Sequence, residues 1–214
     1  DATLRNLLDA NTSAVCIVAK SWDYHVIEAL QTTLDEGELM VADSVDFLSR
    51  NGRQVMVDLE HFFDGYKADS SYALETLQAA IRGGAEIVVL CDTNGGTLPA
   101  EIWQITTDVI ASGIAGDRLA IHTHDDTGNA VAGSLAAVDA GARQIQGTLN
   151  GLGERCGNAN LTALIPILLL KEPYASRFET GVTPHALKRL TRVSRMLDDI
   201  LNRVPQKQAA FVGA

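Results

Sequence analysis

Basic residues are scarce in this chain: 17 Lys and Arg stand against 27 Asp and Glu, for a formal net charge of −10. Binding a phosphate backbone takes clustered cations that displace its counterions, and no such cluster occurs, so the composition argues against a nucleic-acid partner. Long apolar runs are missing as well. The longest, Leu161–Leu170, carries Pro166 and falls well short of the roughly 20 residues that cross a bilayer, so no membrane partner is expected. Three cysteines, Cys16, Cys91 and Cys156, form an odd set without CxxC spacing. They suit a reducing compartment better than a disulfide framework or a zinc ribbon. With no secretory-signal pattern, the expected localisation is cytoplasmic. No GxGxxG follows a strand pattern, which removes the main mark of a dinucleotide-binding sheet.

What is present is a 46% apolar chain of 214 residues with 18 glycines, enough for one domain with a real core and many short loops. Short β-branched runs stand at 14–19, 54–59, 86–90, 119–122 and 143–146. Stretches with helical spacing lie between them, at 23–50, 71–82, 99–112 and 129–139. Several of these stop in Gly just before the next strand, where the left-handed conformation ends a helix. Alternation of strand and helix predicts parallel βα units. Each strand runs into a polar cluster at its C-terminal end: Lys20 to Asp23, Asp58 to His61, Asp92 to Asn94, His122 to Asp126, and Asn150 to Asn158. That placement points to a (β/α)8 TIM barrel. Only five strands are found where eight close a barrel, so the reading is of strands 4–8 in a partial barrel over residues 1–172. A post-barrel helical segment over 173–214 follows, with one amphipathic helix at 183–202.

The pentad His122-Thr123-His124-Asp125-Asp126 carries the chemistry. Residues i and i+2 of a strand face the same way, so a strand ending here presents two imidazoles to one point. Two imidazoles with oxygen donors nearby can hold one divalent metal and leave positions open. The plainer alternative is one His capping a strand and the other in the core. Asn158 is a further candidate ligand through its side-chain oxygen, or else the N-cap of a helix over 159–170. Asp125 and Asp126 could orient the imidazoles or cap the next helix, with Asp126 favoured as the cap. Glu154 and Arg155 could pair and shape their loop. His25 and His185 fall in helical stretches and read as ordinary surface or core residues.

The run from His122 through Gly151-Leu152-Gly153-Glu154-Arg155-Cys156-Gly157-Asn158 resembles the last two strands of the metal-dependent Claisen-condensing barrels. This is the DRE-TIM metallolyase group that holds the 2-isopropylmalate and homocitrate synthases. Lys20-Ser21-Trp22-Asp23, Glu60 through Lys67, and Leu90 through Pro99 look most like its (R)-citramalate synthase branch. The resemblance runs over essentially the whole chain. It implies an acyltransferase that condenses acetyl-CoA with a small 2-oxo acid, most simply pyruvate, in a homodimer using Zn²⁺, Mn²⁺ or Mg²⁺. Larger 2-oxo acids, or a non-catalytic fragment, are the alternatives. A lyase fits less well, because lyase relatives carry a Cys in a different glycine-rich loop.

By the same resemblance His122, His124 and Asn158 are the metal ligands. Glu60 is the base or the group that orients it, and Thr93 binds the keto-acid carboxylate. His61 lines the pocket with less support. For Glu60 the alternative is an exposed strand-end carboxylate, and for Thr93 a turn residue. One departure matters. The family opens with an acidic residue and an Arg on its first strand, and Asp1-Ala2-Thr3-Leu4-Arg5-Asn6 imitates those letters without the Gly and Gln that follow. Residues 6–9 continue as a helix, so Asp1 and Arg5 are read as a decoy. The chain is then expected to begin after the third strand and to end before the segment that lends a partner subunit a further His.

Overall fold

A computed structural model describes residues 2–213. The β-branched runs become strands β1 (Ala14–Lys20), β2 (Gln54–Glu60), β3 (Ile87–Asp92), β4 (Leu119–Thr123) and β5 (Gln144–Gln146). They form one sheet in the order β1-β2-β3-β4-β5, parallel at every pair. Helices α2 (Leu34–Arg50), α4 (Ser70–Gly83), α5 (Pro99–Ala111) and α6 (Ala130–Ala140) make the crossovers. Two shorter or flanking helices, α1 (Ala2–Asp9) and α3 (Phe62–Ala68), join them at the N-terminus and after β2. Helix α4 stops where the sequence places a glycine: Gly84, at φ +103°, takes a conformation closed to other residues.

The sheet is strongly curled. Strands β2 and β5 lie three places apart, which in a flat sheet is about 14 Å. Yet Gln146 Nε2 donates to Asp58 Oδ1 across the concave side at 2.9 Å, and Gln144 Nε2 approaches Met56 Sδ at 3.8 Å. Curling of this degree belongs to a barrel wall, and the fold is a partial TIM barrel of five consecutive parallel strands. The convex side holds the main core. Val55, Val57, Leu59, Leu90 and Ile121 are fully buried there against Leu48, Phe62, Phe63 and Leu77. The concave side carries Asp58, Val89, Cys91, Ala120, His122 and Gln146, with only a small apolar cluster of its own.

Three expectations need correction. The stretch 23–50 is broken into a π-helical turn (His25–Ala29) and α2. Gln31 sits at φ 54°, and the Thr33 hydroxyl caps α2 by accepting from Glu36 N at 3.2 Å. The helix expected at 183–202 is split into α9 (Pro184–Leu187) and α10 (Leu190–Ile200). The tight bond Arg189 N→Ala186 O, 3.0 Å, interrupts the regular ladder between them. Helix α7 (Leu161–Leu170) is capped by Asn160, whose side chain accepts from Thr162 N at 2.9 Å, and Asn158 is left for other work. Arg5 lies exposed on α1, before β1 begins and so at the opposite end of the sheet from the polar clusters. Asp1 lies outside the described residues.

The segment after residue 172 folds back on the barrel wall through α8 (Tyr174–Arg177) and α10. Tyr174 and Arg177 reach Asp139 on α6 at 2.8 and 3.1 Å. Asn150 Nδ2 donates to Ser194 O at 3.0 Å and Asp198 Oδ1 at 3.2 Å on α10.

Candidate metal centre and substrate cleft

Strand parity does what the sequence requires of it. His122, on β4, and His124, one residue past its end, turn their rings to the same side, with Nε2 atoms 3.3 Å apart. Backbone bonds hold the loop that follows β5 against this point: Ala159 N→Thr123 O at 3.0 Å, Asp125 N→Gly157 O at 2.9 Å, and a bridge between His124 and Asn158. Asn158 is thereby delivered to the imidazoles, with its amide nitrogen 2.9 Å from His122 Nε2. A Cβ at Gly153 would overlap Asn158 Oδ1, so the loop can close this far only with glycine there. His124 and Asn158 are each 8% exposed. Burial is the main reason the His124 pKa lies below its ordinary value, followed by the nearby His122 and Arg155 charges.

The neighbouring strand ends supply the rest. Lys20 and Glu60 are register partners on β1 and β2 and form an ion pair. Main-chain His61, at φ 56°, donates its N–H to Thr93 Oγ1 at 2.8 Å. Its ring Nδ1 meets Asp64 Oδ2 at 3.1 Å, and Asn94 holds that same carboxylate oxygen at 2.9 Å. The candidates Glu60, His61, Thr93, His122, His124 and Asn158 thus all stand at the C-terminal ends of β2 to β5 or in the loops beyond, the active face of a barrel of this kind.

Most of the chain carries the signature of one family: residues 1–196 match the model described as HMGL-like. The chain belongs to the HMGL-like family. It is 50% identical over 219 residues to the (R)-citramalate synthase of Synechocystis sp., an alignment covering 100% of this chain and 39% of that protein. The (R)-citramalate synthase of Aquifex aeolicus is 47% identical, with the same shares covered. The 2-isopropylmalate synthase of Campylobacter concisus is 36% identical over 152 residues, 70% of this chain and 29% of that one. This HMGL-like chain therefore spans about two fifths of the length of the citramalate synthases it matches. Among solved structures, the HMG-CoA lyase of Bacillus subtilis superposes with a TM-score of 0.80 at 17% identity, over 98% of this chain and 70% of that one. That likeness bears on the fold alone.

The donor set of this HMGL-like site can be tested against a metal ion. Two nitrogens bound tetrahedrally to one zinc-class ion at about 2.0–2.1 Å stand roughly 3.3–3.4 Å apart, and the two Nε2 atoms are 3.3 Å apart. His122 is also oriented for ligation. Its Nδ1 meets Gln146 Oε1 at 2.8 Å, which puts the ring proton on Nδ1 and the lone pair on Nε2. The two imidazole nitrogens are spaced as a metal would hold them, whereas Asn158 turns its amide nitrogen to His122 and its Oδ1 toward Gly153, so ligation through that oxygen requires the amide to turn over. Among the described residues no group of three His, Cys, Asp or Glu gathers around one point, so an acidic ligand is not among them.

Sequence reading passed over five residues at this end of the barrel. Asp58 and Gln146 form a relay behind His122, Gln146 bridging the imidazole and the carboxylate. Both were findable: Asp58 is two residues before Glu60, and Gln146 ends a strand. Lys20 was read within a motif without a role of its own. Arg155, expected only to pair with Glu154, does so at 2.9 Å but also reaches Asp126, His124 and the Thr93 carbonyl. Asp126 is accordingly an Arg155 partner; the N-cap position of α6 is Asn129, and it is Asp125 whose Oδ1 accepts from the first helical N–H, that of Ala130, at 2.9 Å. His25 lies in a helical turn, as read from the sequence, and packs beside His61. Its ring packs at 4.6 Å on His61 and 4.9 Å on Trp22, its Nδ1 is buried without a partner among the described residues, and burial with the His61 and Lys20 charges lowers its pKa.

Proposed function

We propose that the protein containing this chain is an acyltransferase that condenses acetyl-CoA with a 2-oxo acid, and that the acid is pyruvate, giving citramalate. The observation that carries the reading is the convergence of His122, His124 and Asn158 at the strand ends beside Glu60 and Thr93, in a chain with up to 50% identity to citramalate synthases. His122, His124 and Asn158 would hold a divalent metal, which when bound acts as a Lewis acid on the keto group.

The other roles belong to the side chains. Thr93 Oγ1 already accepts from His61 N–H, so its own O–H remains to donate to the keto-acid carboxylate. Glu60 is the base for the acetyl methyl proton, or orients the base, and Lys20 is its ion-pair partner at the strand ends. The enolate carbon then attacks the ketone, and water hydrolyses the thioester, releasing CoA and the 2-hydroxy diacid. The reaction site is cytoplasmic and the assembly a homodimer on this reading.

The test is CoA release by the purified protein over a panel of pyruvate, 2-oxoisovalerate and 2-oxoglutarate. Preference for pyruvate supports the proposal. Preference for 2-oxoisovalerate would move the assignment to the 2-isopropylmalate synthases, which the chain also matches at 36% identity. Release with none of the three would leave a non-catalytic role. Glu60→Gln is expected to lower kcat by about 10²- to 10⁴-fold, the usual worth of a positioned acid–base group.

A further inference from the structure

Arg155 stands against the site in a way the metal reading does not anticipate. Its backbone lies at φ 52°, in the left-handed region that costs a residue with a Cβ and survives only where surroundings impose it. From there the guanidinium reaches Asp126 through Nε at 2.9 Å and Glu154 through Nη1 at 2.9 Å. Nη2 faces three acceptors: the Thr93 carbonyl at 2.7 Å, His124 Nδ1 at 2.9 Å and Asp126 Oδ2 at 3.0 Å.

A guanidinium donates and never accepts, so His124 Nδ1 is the acceptor in its contact. A neutral imidazole that accepts at Nδ1 carries its proton on Nε2. In His124, however, Nε2 is the atom turned toward His122 Nε2. A ring that ligates through Nε2 needs that lone pair and must keep its proton on Nδ1, aimed at an acceptor. His122 has that arrangement, with Gln146 Oε1 as acceptor; His124 has the reverse. The neighbourhood contains the remedy. An Nη2 group has two protons for three acceptors, so Arg155 can let go of His124 and keep both Asp126 oxygens. With its two Nη2 protons on Asp126 and the Thr93 carbonyl, the guanidinium leaves His124 Nδ1 free to carry the ring proton.

We propose that Arg155 is a latch on His124. It holds the ring in the tautomer that cannot ligate through Nε2, and its withdrawal onto Asp126 is the step that admits the metal. The inference rests on the metal reading above. It also couples the two halves of the cleft, because the same Nη2 binds the main chain of Thr93, the residue assigned to the keto-acid carboxylate. Arg155 is in this sense a positioning residue whose removal strengthens metal binding. A residue that only braced the loop carrying Asn158 would have the opposite effect.

The sign decides the matter. Co²⁺, whose visible absorption reports its coordination, is titrated into metal-free wild type, Arg155→Asn and Arg155→Lys. Asn tolerates the left-handed backbone but is too short to make the contact, while Lys keeps the charge and loses the fork. Arg155→Asn is expected to bind Co²⁺ at least about tenfold more tightly than wild type, the worth of one hydrogen bond to a charged donor. Arg155→Lys is expected to lie between them. His122→Ala should abolish the signal in every background. Wild type that binds Co²⁺ while Arg155→Asn binds equally or more weakly overturns the latch and leaves the metal reading standing. Absence of binding in all three proteins overturns the metal reading and the latch together.

Discussion

Gln146, on β5, joins His122 on the neighbouring β4 to Asp58 on β2, three places away from its own strand: its Oε1 meets His122 Nδ1 at 2.8 Å and its Nε2 donates to Asp58 Oδ1 at 2.9 Å. One amide therefore ties the curl of the barrel wall to the orientation of an imidazole. Replacing it by Leu keeps the volume near and removes both bonds. Gln146→Leu is expected to weaken divalent-metal binding by about 10- to 100-fold, as loss of an outer-sphere partner does. Isothermal titration against wild type checks this. Unchanged affinity would mean that His122 is oriented by its strand alone.

The strands and their polar ends were legible because a parallel sheet packed by helices on its convex side writes itself as compact β-branched runs. All five observed strands fall on those runs, and the His122–His124 pairing follows from parity alone. Side-chain partners across the concave face were hidden. Asp58 and Gln146 are 88 positions apart, and only the curl of the sheet brings them together. Asn160 was not singled out as the cap of α7 because Asn158, the capping alternative considered, precedes the same helix. Arg155 went unread because its contacts need a left-handed backbone that an Arg rarely supplies.

Asp92 is 2% exposed, and that burial raises its pKa above the ordinary carboxylate value. Its Oδ1 accepts from Thr97 Oγ1 at 2.8 Å, and Thr97 N–H donates to both carboxylate oxygens at 3.3 Å. Asn keeps one acceptor and sheds the charge, so Asp92→Asn is expected to move the denaturant midpoint little. Ala leaves the 2%-exposed Thr97 unpaired and is expected to cost about 1–3 kcal/mol. Equal losses for both substitutions would show that the charge itself matters.

Gly153 and Asn158 offer a separation of folding from metal binding. Because a Cβ at residue 153 would overlap Asn158 Oδ1, Gly153→Ala forces the Asn158 amide away from the imidazoles. Gly153 lies in an exposed loop, where displacement of one side chain is absorbed locally, so global stability should fall by only about 1 kcal/mol, the centre of the range for point substitutions. Metal affinity should fall at least about tenfold, and kcat with it. A variant with wild-type affinity and an unaltered melting temperature would remove Asn158 from the ligand set.

The depressed pKa of His124 gives a pH dependence with a definite sign. Burial is its largest cause, and its ordinary value is 6.5. Between the lowered folded value and 6.5 the unfolded chain binds a proton that the folded chain refuses, so unfolding takes up protons and stability rises with pH. The contribution is fully present above 6.5 and is lost as pH falls below it. His25, lowered for the same leading reason, acts in the same direction. In chelator, to keep metal out of the balance, the melting temperature of the wild type should drop from pH 7.5 to pH 5.5. The double substitution His25→Asn and His124→Asn should flatten that slope. A slope of the same steepness in the double variant would assign the acid lability to other groups and leave both imidazoles free to charge in the folded state.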